Sequence, residues 1–493
     1  MFKRNTKGTE AFLLLSFALL TIYYVGMALF DGPVWCVDSP SYVSMDFSRE
    51  PVYPLFLLGV KTLWEALNLP YELYGLPGYL TLAVIIQSIL WAFAAVYLGN
   101  FVLDVARRDL SSRRSCFLAA FAMVSQVAVS FLNRFIANRG SMYSECIMTE
   151  SLAMPLYVIF TVLLIKSFDK YDTRTVLKLF FLGVIISSIR KQMLIMVLTW
   201  GFASFVLHII VKNHRSLKNF SITVIAVILC LFFIAVLDRG YNLAVRGVFA
   251  GHIGNSKGGL DTVLYTATPE DSALFAKVDD TEFPDMEALY TRIYQECVSR
   301  QLTIDFAPGY ELKEKSTVFN SDWSAMASHY ADSYDVIGFE VVLPICDEYV
   351  AEHFPELDQV HAQIKENQVE DILLSTLLKN TITNIATGND RGAKYVLTAN
   401  ILKAFVISNA NMTPAVLIKI SILLYIVYLV TFIALLLRKQ SWSGNVIKRM
   451  MFIVLATIAI NCVVTGSMIF PQPRYMCYGM GVFYLAIVCG ILI

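Results

Sequence analysis

Asp31, Asp38 and Asp46 fall within one short stretch, DGPVWCVDSPSYVSMDFSREPVYPL (Asp31–Leu55), together with Arg49 and Glu50. The stretch follows a long apolar run, which places these groups at a membrane surface. A carboxylate held there can serve as a general base, taking a proton from a hydroxyl as that hydroxyl attacks. Ser39-Pro40 has the form of a helix start: Ser39 can cap, and Pro40 needs no N–H in the first turn. Asp38 then precedes the N-terminus of a short helix, where the dipole favours the ionised form. Tyr53-Pro54 repeats the signal and predicts a second helix over Pro54–Leu67. Asp38 is the candidate base; Asp31 and Asp46 read as incidental acids of an amphipathic loop.

Other ionisable residues stand at the ends of apolar runs. Glu145 and Glu150 lie in YSECIMTES, Arg190-Lys191 between two runs, and Arg474-Tyr475 in FPQPRY. Such groups are costly at membrane depth, so they tend to have partners or a function. Each has a plainer reading. Glu145 suits a helix N-terminus, and Arg190 and Lys191 can snorkel to the interface. The six histidines show no metal-ligand spacing, and the nine cysteines form no CxxC pair. Cys297 and Cys346 share one segment and could pair, but two buried thiols are the better reading.

These residues need elements to carry them. The chain has 493 residues, of which 57% are hydrophobic and 16% charged, with formal net charge +0. That composition implies an integral membrane protein and gives no electrostatic case for nucleic acid. A spanning helix needs roughly 20 apolar residues. Ten runs are read as spans: Ala11–Phe30, Gly78–Leu103, Cys116–Asn133, Cys146–Ile165, Leu177–Ile189, Met193–Val211, Phe220–Leu237, Ala415–Leu437, Met450–Phe470 and Met476–Ile493. The first is expected to be retained rather than cleaved, since no small-residue cleavage pattern follows it. Leu177–Ile189 is short for a full crossing.

Placing both termini inside puts eighteen Lys and Arg on inner segments and seven on the short outer loops (Arg49, Lys61, Arg134, Arg139, Arg190, Lys191 and Arg474). The positive-inside rule favours that orientation. It brings Asp38, Glu145, Glu150, Arg190, Lys191 and Arg474 to the outer face. Residues 238–413 hold 26 of the 39 acids against 13 basic residues, with apolar residues throughout. This predicts a folded, water-facing, mainly helical domain, with helices over Asp285–Arg300 and Val360–Lys379. Gly251–Gly259 reads as a plain loop. The resulting domains are 1–237, carrying the first outer loop at 31–77, then 238–413, then 414–493.

An Asp after the first span, then DSxSY, then RxPxYPL resembles the first outer loop of GT-C membrane glycosyltransferases. The nearest likeness is to bacterial protein mannosyltransferases and aminoarabinose transferases. Asp38, Ser39, Tyr42, Arg49, Pro51, Tyr53 and Pro54 carry it. The TES before the fourth run and the Arg474-Tyr475 pair before the last are also similar, so the likeness covers about residues 1–240 and 414–493. It implies an inverting enzyme of the bacterial plasma membrane. Such an enzyme moves a sugar from a polyprenyl-phosphate donor to an extracytoplasmic glycan, lipid or protein. On that reading Asp38 is the base and Glu150 orients the acceptor or a metal ion. Arg190, Lys191 and Arg474 receive the departing phosphate. Tyr42, Arg49, Tyr53, Glu145 and Tyr475 are candidate substrate contacts. Some relatives use a divalent cation. This chain has Asp38-Ser39 where relatives often carry paired acids, which weakens a paired-acid metal site more than a base.

Two alternatives stay open. An envelope polysaccharide polymerase or ligase would rely on outer-loop arginines, of which Arg239 and Arg246 are examples. A transporter or lipid flippase would place polar groups at the midplane and show symmetric halves; neither pattern is visible. A scaffold with a sensory outer domain is the weakest reading.

Overall fold

A computed structural model describes residues 6–136, 141–169, 171–210, 216–254, 256–308, 323–389, 392–438 and 442–493. Lys3, Arg4, Arg139, Lys170, Lys212, Arg215 and Lys439 of the charge count lie outside them. The described residues are mainly helical. Among the described residues nine helices are long and apolar enough to cross a membrane: Gly8–Asp31, Tyr79–Ala106, Ser112–Arg134, Glu150–Asp169, Lys191–Ile209, Leu217–Arg246, Ala415–Leu437, Gly444–Met468 and Pro473–Leu492. The expected fifth span is a helix, Thr173–Ile189, but at 17 residues it falls short of this set.

The chain divides into two compact units, residues 1–241 with 405–461 and 472–493, and residues 242–404 with 462–471. The sequence-based boundaries were 238 and 413, and they left 462–471 among the C-terminal membrane helices. That segment, still apolar, instead groups with the second unit.

In the first unit, α1 (Thr6–Asp31) packs on α4 (Tyr79–Ala106), with α2 (Ser39–Val43) and α3 (Val52–Ala66) between them in the chain. Helix α4 also packs on α5 (Ser112–Ile136) and on α6 (Glu150–Asp169). Helix α6 is central: 83% of its most apolar stretch is buried, against 11% in α1 and in α9 (Leu217–Arg246). Along the middle of those two outer helices large apolar side chains, such as Leu14, Ile22, Ile225 and Phe232, are exposed. A surface of that kind suits lipid rather than water. Pro155 sits inside α6 and leaves the Ser151 carbonyl without its helical N–H. The buried indole Nε1 of Trp91 donates to that carbonyl at 2.8 Å, so the interruption joins α4 to α6.

The first loop is closed by a two-residue hairpin, Glu72–Leu73 against Leu76–Pro77. The Tyr74 hydroxyl donates to the Leu29 carbonyl at 2.6 Å. Gly32 faces the Tyr74 ring with φ of +73°, and a Cβ there would lie 2.8 Å from the ring. Only glycine meets both demands.

The second unit runs through α10 (Lys257–Tyr265), α11 (Met286–Ser299), α12 (Trp323–Val336), α13 (Leu343–His353) and α14 (Gln359–Thr387). They enclose a core including Leu260, Tyr290, Ile293, Val341 and Leu373. The two helices expected here are present, the second extended to Thr387, where Gly388 ends it with φ of 73°. Cys297 and Cys346 are both buried free thiols.

Candidate functional site

The first loop is stitched to the segment before α6. Val34 N–H donates to the Glu145 carbonyl at 2.9 Å, and Ile147 N–H donates to the Val34 carbonyl at 3.0 Å. Gln87, buried on α4, donates to the carbonyls of Ser144 and Cys146 and accepts from the Tyr53 hydroxyl. The loop carrying Asp38 is therefore fixed by backbone pairing and one buried amide.

Within the loop, Ser39 does not cap a helix. Its Oγ accepts from Cys36 N–H at 2.7 Å and donates to the Ile147 carbonyl at 2.8 Å, which ties the loop to the neighbouring segment. Asp38 itself occupies the cap position with helical dihedrals and no capping bond. A five-residue helix has little dipole, so the expected source of its ionisation is replaced by another. The chain reverses at Met45, where φ is 57°, and returns Arg49 to the start of the helix. Arg49 Nη2 meets Asp38 Oδ1 at 2.9 Å, and its Nε donates to Ser41 Oγ at 2.7 Å. From the far end of the chain, Arg474 Nη1 meets Asp38 Oδ2 at 2.8 Å. Burial pushes the Asp38 carboxyl up, but Arg474 and Arg49 outweigh it and hold it below the usual carboxylate range.

A second ion pair adjoins the first. Glu150, buried at the start of α6, meets Arg190 Nη1 at 2.7 Å. Burial disfavours the Arg190 cation, yet Glu150 together with Tyr478, Tyr475 and Tyr42 more than offsets this and holds it charged. Arg190 also donates to Thr149 Oγ1 at 2.9 Å; the Tyr42 hydroxyl lies 3.5 Å from both that oxygen and Arg49 Nη1. Tyr475 completes the link, with the Arg190 and Arg474 guanidinium groups 4.9 and 5.0 Å from its ring. Three arginines and two carboxylates thus form one cluster with a surplus positive charge.

Of the residues singled out from sequence, Asp38, Tyr42, Arg49, Glu150, Arg190, Arg474 and Tyr475 come together. Lys191 is adjacent: its backbone N–H donates to Glu50 at 2.6 Å. Tyr53 is fully buried and engaged by Gln87. Glu145 belongs to a separate group with Arg134 and Asp31, so Asp31 is a paired acid rather than an incidental one. Asp46 is exposed and accepts from Ser48 in a local turn. Thr149, Gln87 and Gln192 were missed, being neutral residues whose importance lies in partners distant in sequence. Both Asp38 oxygens and the Glu150 carboxylate are engaged by arginine, an arrangement that does not fit a divalent cation. Among the described residues no group of three or more His, Cys, Asp and Glu is placed to hold a metal.

Fold and composition define the class: a polytopic helical membrane protein. Comparison with protein-family models, with curated proteins and with solved structures finds no match.

Proposed function

We propose that the protein is a GT-C-like inverting glycosyltransferase, taking a sugar from a polyprenyl-phosphate donor and passing it to an extracytoplasmic acceptor. The observation that carries this reading is Asp38, held between Arg49 and Arg474 and joined through Tyr42 and Thr149 to Arg190 and Glu150. An acid and several arginines gathered at helix ends suit a donor whose phosphate lies at the interface and whose sugar lies just beyond it.

In the resting arrangement Asp38 is a poor base, since both oxygens are occupied by cations. A donor phosphate competes for Arg474 and frees Oδ2. The acceptor hydroxyl then gives its proton to Asp38 as its oxygen bonds to the anomeric carbon. The bond from that carbon to the phosphate oxygen breaks, and the electron pair stays with the phosphate. Charge at the sugar resembles that of glycoside hydrolysis, and attack opposite the phosphate inverts the centre. Arg190 and Arg474 stabilise the phosphate as it leaves, while Glu150 holds Arg190. The reading places the site on the outer face of a bacterial plasma membrane with both termini cytoplasmic. The test is reconstitution in nanodiscs with a pool of polyprenyl-phosphate sugars, following release of the free carrier phosphate by mass spectrometry. Absence of carrier release with every donor and acceptor class would overturn the reading.

A further inference from the structure

Gln192 lies one residue beyond Lys191, in the single turn Lys191–Met193 that leads into α8 (Leu194–Ile210). Its amide uses both ends. Oε1 accepts from Arg190 Nε at 3.1 Å, while Nε2 donates to the Tyr475 carbonyl at 2.7 Å and to Asn461 Oδ1 at 3.1 Å. Arg190 can only donate and the Tyr475 carbonyl can only accept, so the partners themselves dictate which way the amide points. Asn461 Nδ2 also donates to the Tyr475 carbonyl, at 3.1 Å, so that backbone oxygen is gripped twice. Tyr475 follows Arg474 directly, and its ring contacts both guanidinium groups. One side chain thus joins the turn that bears Arg190 to the turn that bears Arg474.

We propose that Gln192 is a positioning residue that sets Arg190 and Arg474 at the spacing needed to receive one phosphate group. The assignment rests on the carrier-phosphate reading for its ligand, but not for its geometry. Neither a carboxylate nor an ammonium can replace the amide: the first loses both donors and the second loses the acceptor.

Two readouts separate the geometry from the ligand. The first is phenylglyoxal modification of full-length protein in nanodiscs, with the rates at Arg190 and Arg474 followed by peptide mass spectrometry. Gln192→Leu should speed modification at both arginines. Gln192→Glu should leave Arg190 slow, because the acceptor remains, and speed Arg474 alone. Unchanged rates in both variants would overturn the proposal. Should Gln192→Leu fail to fold, the split predicted for Gln192→Glu still decides it. The second readout is binding of farnesyl phosphate. Gln192→Leu should weaken it about tenfold, the scale expected for lost hydrogen bonds to a charged group, and should cost less in an Arg190→Lys background, where only the path through Tyr475 to Arg474 remains to be lost. Altered modification rates with no farnesyl phosphate binding by the wild type would support the positioning and remove the carrier reading.

Discussion

Asp38 and Arg474 are 436 positions apart in sequence and 2.8 Å apart in the structure. The contact joins the loop after the first helix to the turn before the last. It makes the electrostatics of the candidate base depend on both ends of the chain. With Arg49 on its other oxygen, Asp38 has an arginine on each side.

Asp38→Asn keeps the side-chain shape but cannot take a proton at neutral pH. It should fold and insert while losing about 10²–10⁴-fold in turnover, the scale of general-base removal. Asp46→Asn, altering an exposed acid in a local turn, should change little. Normal transfer by Asp38→Asn beside a dead Glu150→Gln would move the base to Glu150.

Arg474→Ala should weaken binding of a polyprenyl phosphate, and Arg474→Lys should restore it only in part, since an ammonium lacks the planar fork. Titrating farnesyl phosphate into nanodiscs checks this directly. Equal affinity in all three proteins would take Arg474 out of the phosphate site.

Glu145 gives a stability signature in pH. Burial pushes its carboxyl up to about 7; Met142 N–H and Arg134 oppose the rise, and Asp31 adds to it. A carboxyl raised in the fold contributes stability that is full below its unfolded value, near 4.5, and is lost as pH rises through about 7. Thermal melts should therefore fall from pH 5 to pH 8 more steeply in the wild type than in Glu145→Gln. Parallel curves would contradict the assignment.

Gly338 lies in the π-helical segment Ile337–Val342 of the second unit, and a Cβ there would lie 2.6 Å from Asp261 Oδ1. Asp261 is itself buried. Gly338→Ala should cost about 1–3 kcal/mol by overpacking. Gly59→Ala in α3, where a Cβ meets nothing within 4 Å, should be neutral or stabilising. A chemical-denaturation series on the two variants measures the difference.

The proposed orientation places Asp280 outside and Arg107 inside. Single cysteines at these positions should react with an impermeant maleimide from opposite sides of sealed vesicles. Labelling of both from one side would remove the shared outer face.

The sequence by itself determined the helical membrane character, because spans of roughly 20 apolar residues have few other solutions. It also determined the break in composition that marks the second unit. The local form of the first loop was legible in part: helix starts near Ser39 and Val52 follow from their prolines. The tertiary structure decided what each polar side chain does. Ser39 has the composition of a cap but ties the loop to Ile147. Asp31 looked incidental until Arg134 was placed beside it. Gln87 is an uncharged amide in an apolar run and Gln192 follows two cations, so nothing local says which groups they hold. Their roles come from carbonyls and side chains that only folding brings within 3.2 Å. Periodicity and charge reveal which surface a helix buries, whereas a hydrogen bond needs both of its partners in place.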